Sequence, residues 1–130
     1  MSHVSVYVTE QFDWLSPEGD TSISFRVTAM LADITSGKLP AADVTTELSI
    51  DFADTWVSQR ELNIEYVRSM SDARRNMPVL GVCMPDETVL LIDGSHRYMA
   101  RRMHGDTTVD YKLVALGAWE PYATITGKWP

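Results

Sequence analysis

The chain has 130 residues, 45% of them apolar, a single cysteine and a formal net charge of −7. That length and apolar content predict one domain, residues 1–130, with a real core. Cys83 alone rules out an internal disulfide framework and fits a cytoplasmic setting, and no apolar run approaches the roughly 18 residues of a membrane span. The start, Met1-Ser2-His3-Val4, has neither the basic segment nor the apolar block of a signal peptide.

Val4, Val6 and Val8 alternate with polar neighbours and predict a first strand near residues 3 to 9. Ser16-Pro17-Glu18-Gly19-Asp20 reads as a turn. Val27, Met30, Leu31 and Ile34 recur at helical spacing up to Gly37, while Ile23, Phe25 and Val27 alternate as in a strand, so the helix start is open. Val44, Thr46, Leu48 and Ile50 read as a strand. Ser58 and Glu61 have capping-box spacing ahead of Ile64, Val67 and Met70, predicting a helix over about 59–70. A loop ending at Met77-Pro78 leads into a hairpin of Pro78–Val82 and Thr88–Ile92. A helix follows over about 95–104, closed by Gly105, and then a strand from Thr108 to Ala115. Trp119 to Pro130 reads as aromatic and irregular. No linker rich in Gly or Ser divides the chain.

Charge is unevenly spread. Residues 1–59 carry two basic groups against nine acids, whereas residues 60–130 carry nine of each. The arginines Arg60, Arg68, Arg74, Arg75, Arg97, Arg101 and Arg102 fall in the second half. This balance excludes a protein that grips nucleic acid through its whole surface. A local basic site for a small anion fits it better.

The most informative stretch is Ile92-Asp93-Gly94-Ser95-His96-Arg97-Tyr98, where an apolar strand breaks at glycine and feeds a helix. Such a junction collects free backbone N–H groups and the positive end of a helix dipole, which suits a phosphate. Gly94, Ser95, His96 and Arg97 are the candidate ligand-binding residues, with Arg97 able to donate in bidentate fashion. Ser95 would cap the helix or add a hydroxyl donor. Arg101, four residues from Arg97, is a possible addition, and a solvated helix face is the other reading for it and for Arg102. Met99, Ala100 and Met103 make the stripe that should pack on the sheet. Asp93 is either a turn-forming residue before glycine or a ligand for Mg²⁺, with Glu61 and Asp72 as remoter ligands. No general base stands out. His96 and Asp93 are the weak catalytic candidates, since a histidine that donates to phosphate is badly placed to accept a proton as well. There is no Gly-x-x-x-x-Gly-Lys loop, Arg97 stands where a Gly-x-Ser-x-Gly elbow needs its second glycine, and His3, His96 and His104 lack zinc-ligand spacing.

Pro78-Val79-Leu80-Gly81-Val82 and Val89-Leu90-Leu91-Ile92-Asp93-Gly94-Ser95-His96-Arg97-Tyr98-Met99-Ala100 resemble the core of the ParB/sulfiredoxin superfamily. There, a hairpin strand runs into a Gly-x-His-Arg or Gly-x-Arg-Arg turn that opens a helix. The likeness covers about residues 44–115 and is best at 78–114. It implies an α+β (α/β-like) fold with a small mixed sheet carrying the strand–Gly-Ser-His-Arg–helix motif. It also implies binding of a nucleotide such as ATP or CTP with Mg²⁺, and phosphoryl transfer or nucleotide hydrolysis as the associated chemistry. Sulfiredoxins carry a cysteine at the position of Ser95, so their thiol chemistry is excluded. ParB proteins add a helix-turn-helix for which this chain has no counterpart, so DNA binding of that kind is not expected. A different reading makes the chain a non-catalytic interaction or inhibitor protein, like small acidic phage or plasmid proteins. It would act through the acidic N-terminal half, where Phe12, Trp14 and Trp56 lie among Glu10, Asp13, Glu18 and Asp20. These aromatics could instead complete the core.

Overall fold

Strand and helix periodicities meet without a loop at Arg26–Val27, which is why both could be read there. In the computed structural model, which describes residues 11–48 and 63–129, Ile23 and Phe25 are the buried apolar positions of strand β2 (Thr21–Arg26). Helix α1 (Val27–Ser36) begins at the next residue, buries Val27 and Met30, and stops at Gly37 in the left-handed conformation (φ 82°). The expected strand at residues 3 to 9, together with Glu10, Ile50, Trp56, Ser58 and Glu61, lies outside the described residues.

The described chain falls into two compact units, one made of residues 11–40 and 117–129 and the other of 41–116 within 41–48 and 63–116. In the first, β2 is the middle strand of a three-stranded antiparallel sheet. One neighbour is β1 (Gln11–Leu15), joined to it by the expected turn at Ser16–Asp20, where the Ser16 hydroxyl donates to Asp20 and accepts from the Thr21 N–H. The tail that read as irregular supplies the other. It holds a short helix (Leu116–Trp119), a 3₁₀ turn (Glu120–Tyr122) with proline in its first turn, and strand β7 (Ala123–Gly127), which pairs with β2 from Thr21↔Gly127 to Phe25↔Ala123. Trp119 is fully buried against Phe25 and Trp129.

The second unit holds a four-stranded mixed sheet in the order β3-β6-β4-β5. Its strands are β3 (Ala42–Glu47), β4 (Val79–Cys83), β5 (Val89–Asp93) and β6 (Thr108–Val114). β4 and β5 form the expected hairpin, and β4 runs parallel to β6. Parallel neighbours need a crossover, here β5 followed by helix α4 (Ser95–His104). Two short helices precede β4, α2 (Ile64–Arg68) and α3 (Asp72–Arg75), capped by the side chains of Asn63 and Ser71. The described part of the expected 59–70 helix is therefore only five residues with Asn63 as its cap, and the loop expected before Pro78 contains α3.

Val79, Leu91, Val109 and Tyr111 occupy one sheet face, with Tyr98 of α4 completing their cluster. Gly81 is held to glycine by sterics alone, since an added Cβ would come within 2.8 Å of the Tyr111 ring. A second cluster joins Met99 and Ala100 of α4 to Val67 of α2. Met99 and Ala100 of the expected apolar stripe of α4 are thus buried, but against α2 rather than the sheet, which Tyr98 covers instead, and Met103 is 45% exposed. The mixed α+β class is as expected. No described helix is long and apolar enough to cross a membrane.

Candidate functional site

The junction between β5 and α4 is built as its sequence suggests. β5 ends at Asp93, Gly94 takes φ 103° and ψ 24°, and the helix starts at Ser95. The first intrahelical bond runs from the Tyr98 N–H to the Gly94 carbonyl at 2.8 Å. The N–H groups of Ser95, His96 and Arg97 therefore precede the helix ladder, as they do at any helix start. Ser95 sits inside the first turn, so the capping position falls to Gly94, whose cap makes no side-chain hydrogen bond. Glycine is required there twice over. The positive φ disfavours any L side chain, and a Cβ would come within 2.6 Å of Val79 Cγ1 and 3.1 Å of an Arg97 nitrogen.

Arg97 braces this turn. Its guanidinium donates to the Asp93 carboxylate at 3.0 Å and to the Pro78 carbonyl at 2.7 Å, tying the start of α4 to both strands of the hairpin. Asp93, the nearest magnesium-ligand candidate, is thereby engaged with a cation. Asp72 is likewise paired, with Arg75 at 2.8 Å. Among the described residues no three His, Cys, Asp or Glu side chains converge on one point.

His96 faces α2. Its Nε2 accepts the backbone N–H of Asn63 at 3.2 Å, a contact that only an Nε2 without a proton can make. The ring stands edge-on to Tyr66, with centroids 5.4 Å apart. The Tyr66 hydroxyl in turn accepts from Arg74 Nε at 2.6 Å, and the Arg74 guanidinium also lies 5.9 Å from the Tyr66 ring centre. The described junction thus gathers Asn63, Tyr66 and Arg74, none of which the motif announces. Asn63 carried a signal, a capping residue directly before the apolar run of Ile64 and Val67. Arg74 carried only its place among the second-half arginines, and Tyr66 carried no signal.

Arg101 is neither solvated nor turned to the junction. It is 7% exposed, and its guanidinium donates to the carbonyls of Arg75, Asn76 and Thr108 and to the Asp110 carboxylate at 3.0–3.3 Å. It clamps α4 to the end of α3 and to β6. The solvated-face reading is corrected for it, because a guanidinium with this many internal acceptors loses little on leaving water.

Among the described residues, charge around the junction is consequently low. Arg97 is compensated by Asp93, Arg101 by Asp110 and Arg75 by Asp72. The exposed Arg74 has neutral partners in Tyr66 and the Ser71 hydroxyl, which caps its backbone N–H. Gly94, Ser95, His96 and Arg97 are all half-buried, so the first turn keeps access to solvent.

No family model matches the chain, and no curated protein or solved structure is significantly similar to it.

Proposed function

We propose that the chain binds a phosphate-bearing ligand at the first turn of α4, over Gly94, Ser95, His96 and Arg97, and that this ligand is a nucleotide such as ATP or CTP with Mg²⁺. The observation that carries the phosphate half of this reading is the left-handed Gly94 held between β5 and a ten-residue helix, with the first turn half-exposed. An anion there meets the positive end of the helix dipole, an interaction worth about 0.3–1 kcal/mol at an exposed helix end. The nucleotide half comes from the ParB/sulfiredoxin resemblance. Arg97 contributes mainly by holding the turn. Turnover is a weaker extension, because Asp93 is paired and His96 Nε2 already accepts a hydrogen bond.

A thermal-shift titration of ATP, CTP, ADP and GTP with Mg²⁺ tests the reading, run beside Ser95→Asp. A carboxylate in the first turn favours the helix but places an anion where the phosphate would sit. The expected result is a saturable rise in Tm with one nucleotide, absent in the variant, whose ligand-free Tm is not lowered. No rise with any nucleotide, or an equal rise in the variant, would sink the proposal.

The second reading, a protein partner for the acidic half, retains one supporting observation. Leu15 is 64% exposed at the end of β1, on the same hairpin as the exposed Asp13, Glu18 and Asp20. Phe12 is partly drawn into the core, with its ring 6.3 Å from Phe25. On this reading Asp13→Lys and Asp20→Lys abolish partner capture and leave nucleotide shifts untouched.

A further inference from the structure

We infer that His96 is a proton-operated latch between α2 and the first turn of α4, closed when its imidazole is neutral and opened when Nε2 takes up a proton. The inference concerns the regulation of the site proposed above, but the latch itself rests only on the geometry of the two helices. Its closed state is the hydrogen bond from the Asn63 N–H to His96 Nε2. Asn63 is also the N-cap of α2, its side-chain oxygen accepting from the Tyr66 N–H and its carbonyl from the Val67 N–H. One residue thus joins the entry of α2 to the entry of α4.

Protonation acts through simple chemistry. A proton from solvent on Nε2 turns the acceptor into a donor, so two N–H groups face each other across the former bond and the contact is lost. The same step places a full positive charge in the first turn of a helix, next to the positive end of its dipole. The surrounding groups do little to neutralise it. Tyr66 of α2 presents a neutral ring edge, and Arg74 of α3 lies beyond the Tyr66 hydroxyl as a further cation. On the motif turn itself Asp93 is taken up by Arg97. Glu65 and Arg68, the other charged residues of α2, are exposed. Among the described residues, therefore, none supplies a charged His96 with an anion of its own. An anion bound at the first turn would supply one, so proton uptake and phosphate binding should favour each other, each through the opened latch.

The test is an NMR titration of the full, isotopically labelled chain over about pH 5 to 8, the range in which histidine changes charge. The Asn63 amide should move with the same midpoint as the His96 ring, and hydrogen-exchange protection of the Tyr66 and Val67 amides should fall through it. In His96→Gln the side-chain oxygen still accepts but cannot titrate, so both steps should vanish. An Asn63 amide that stays flat while His96 titrates would overturn the latch, as would steps that survive in His96→Gln. A second arm adds inorganic phosphate at pH 6 and pH 8. Tighter binding at pH 6 with an upward move of the His96 midpoint supports the coupling. A working latch that phosphate does not affect leaves the latch standing and tells against the phosphate site alone. Phosphate binding with a flat Asn63 amide does the reverse.

Discussion

Single side chains divide here into those that hold the motif and those that face outward. Gly94→Ala should cost about 3 kcal/mol, from a left-handed φ on a residue with a Cβ and from the contact with Val79. Urea denaturation of the variant checks this, and a loss near zero would show that the turn can rearrange. Arg101→Met should be comparably harmful, about 3 kcal/mol, because three backbone carbonyls lose a common donor. Arg74→Ala, at an exposed position, should stay within about 0.5 kcal/mol of the parent protein. The ordering of those two arginines reverses what helix position alone suggests for Arg101. Asp93→Asn carries a prediction of opposite sign for binding. Removing the carboxylate frees the charge of Arg97 in the first turn, so phosphate affinity should rise even as the turn loosens. Calorimetric titration with phosphate reads it, and weaker binding in Asp93→Asn would contradict the site's proposed electrostatics.

At the scale of elements, the short helices depend on their caps. α2 has five residues and α3 four, well below the length at which a helix holds together unaided. Asn63→Ala and Ser71→Ala should each cost about 1 kcal/mol, and the loss should appear as faster amide exchange confined to α2 and α3 respectively. What the sequence made legible follows the same logic. α1 and α4 were readable with their glycine stops because their apolar residues keep helical spacing and Gly37 and Gly105 both adopt positive φ. The hairpin was readable from two runs of apolar β-formers. α3 was not, because Asp72-Ala73-Arg74-Arg75 has no apolar stripe and owes its form to a serine cap and to Arg101 taking the carbonyl of Arg75. β7 was missed because Ala123-Thr-Ile-Thr-Gly127 is short, and its place depends on β2, about a hundred residues earlier. At the junction, the glycine and the helix start could be read in advance. The burial of Arg101 and the engagement of Arg97 could not, since both depend on carbonyls brought in by other elements.

For the molecule as a whole, titration sets limits at both ends of the pH scale. The Ser24 hydroxyl and Gln11 hold Asp13 below the usual carboxylate range, the Thr88 hydroxyl and N–H do so for Asp86, and His104 does so for Asp106 with help from Arg75 and Arg101. Each contributes stability that is present above the ordinary carboxylate value of about 4 and is lost as pH falls through the lowered native one. Exposure keeps the contributions of Asp13 and Asp86 small. The alkaline limb should be steeper. Burial, with Tyr98 nearby, pushes the Tyr111 phenol up to about 12, so the folded state keeps a proton that the unfolded chain releases near 10. That stability is intact below about pH 10 and falls away between 10 and 12, by roughly 2–3 kcal/mol. Tyr122, raised by its bond to Asp33, adds to the same limb. Denaturation midpoints across pH 9 to 12 should drop for the parent protein and drop less for Tyr111→Phe. Equal slopes would remove Tyr111 as the cause.

The threading of the two units has a consequence for synthesis. Residues 41–116 form one unbroken segment, whose ends are brought opposite each other where Ala42 pairs with Leu113. The other unit is split, and β2 must wait for β7 to emerge before its sheet is complete. Each contact in the inner unit closes a shorter loop than the β2–β7 pairing does across the intact chain, and folding the inner segment first shortens that long loop to little more than its flanks. A nascent chain would therefore be expected to assemble the strand–glycine–helix junction before its first hairpin gains a third strand. Until then, the edge of β2 stands open to any other extended peptide in the crowded space around the ribosome.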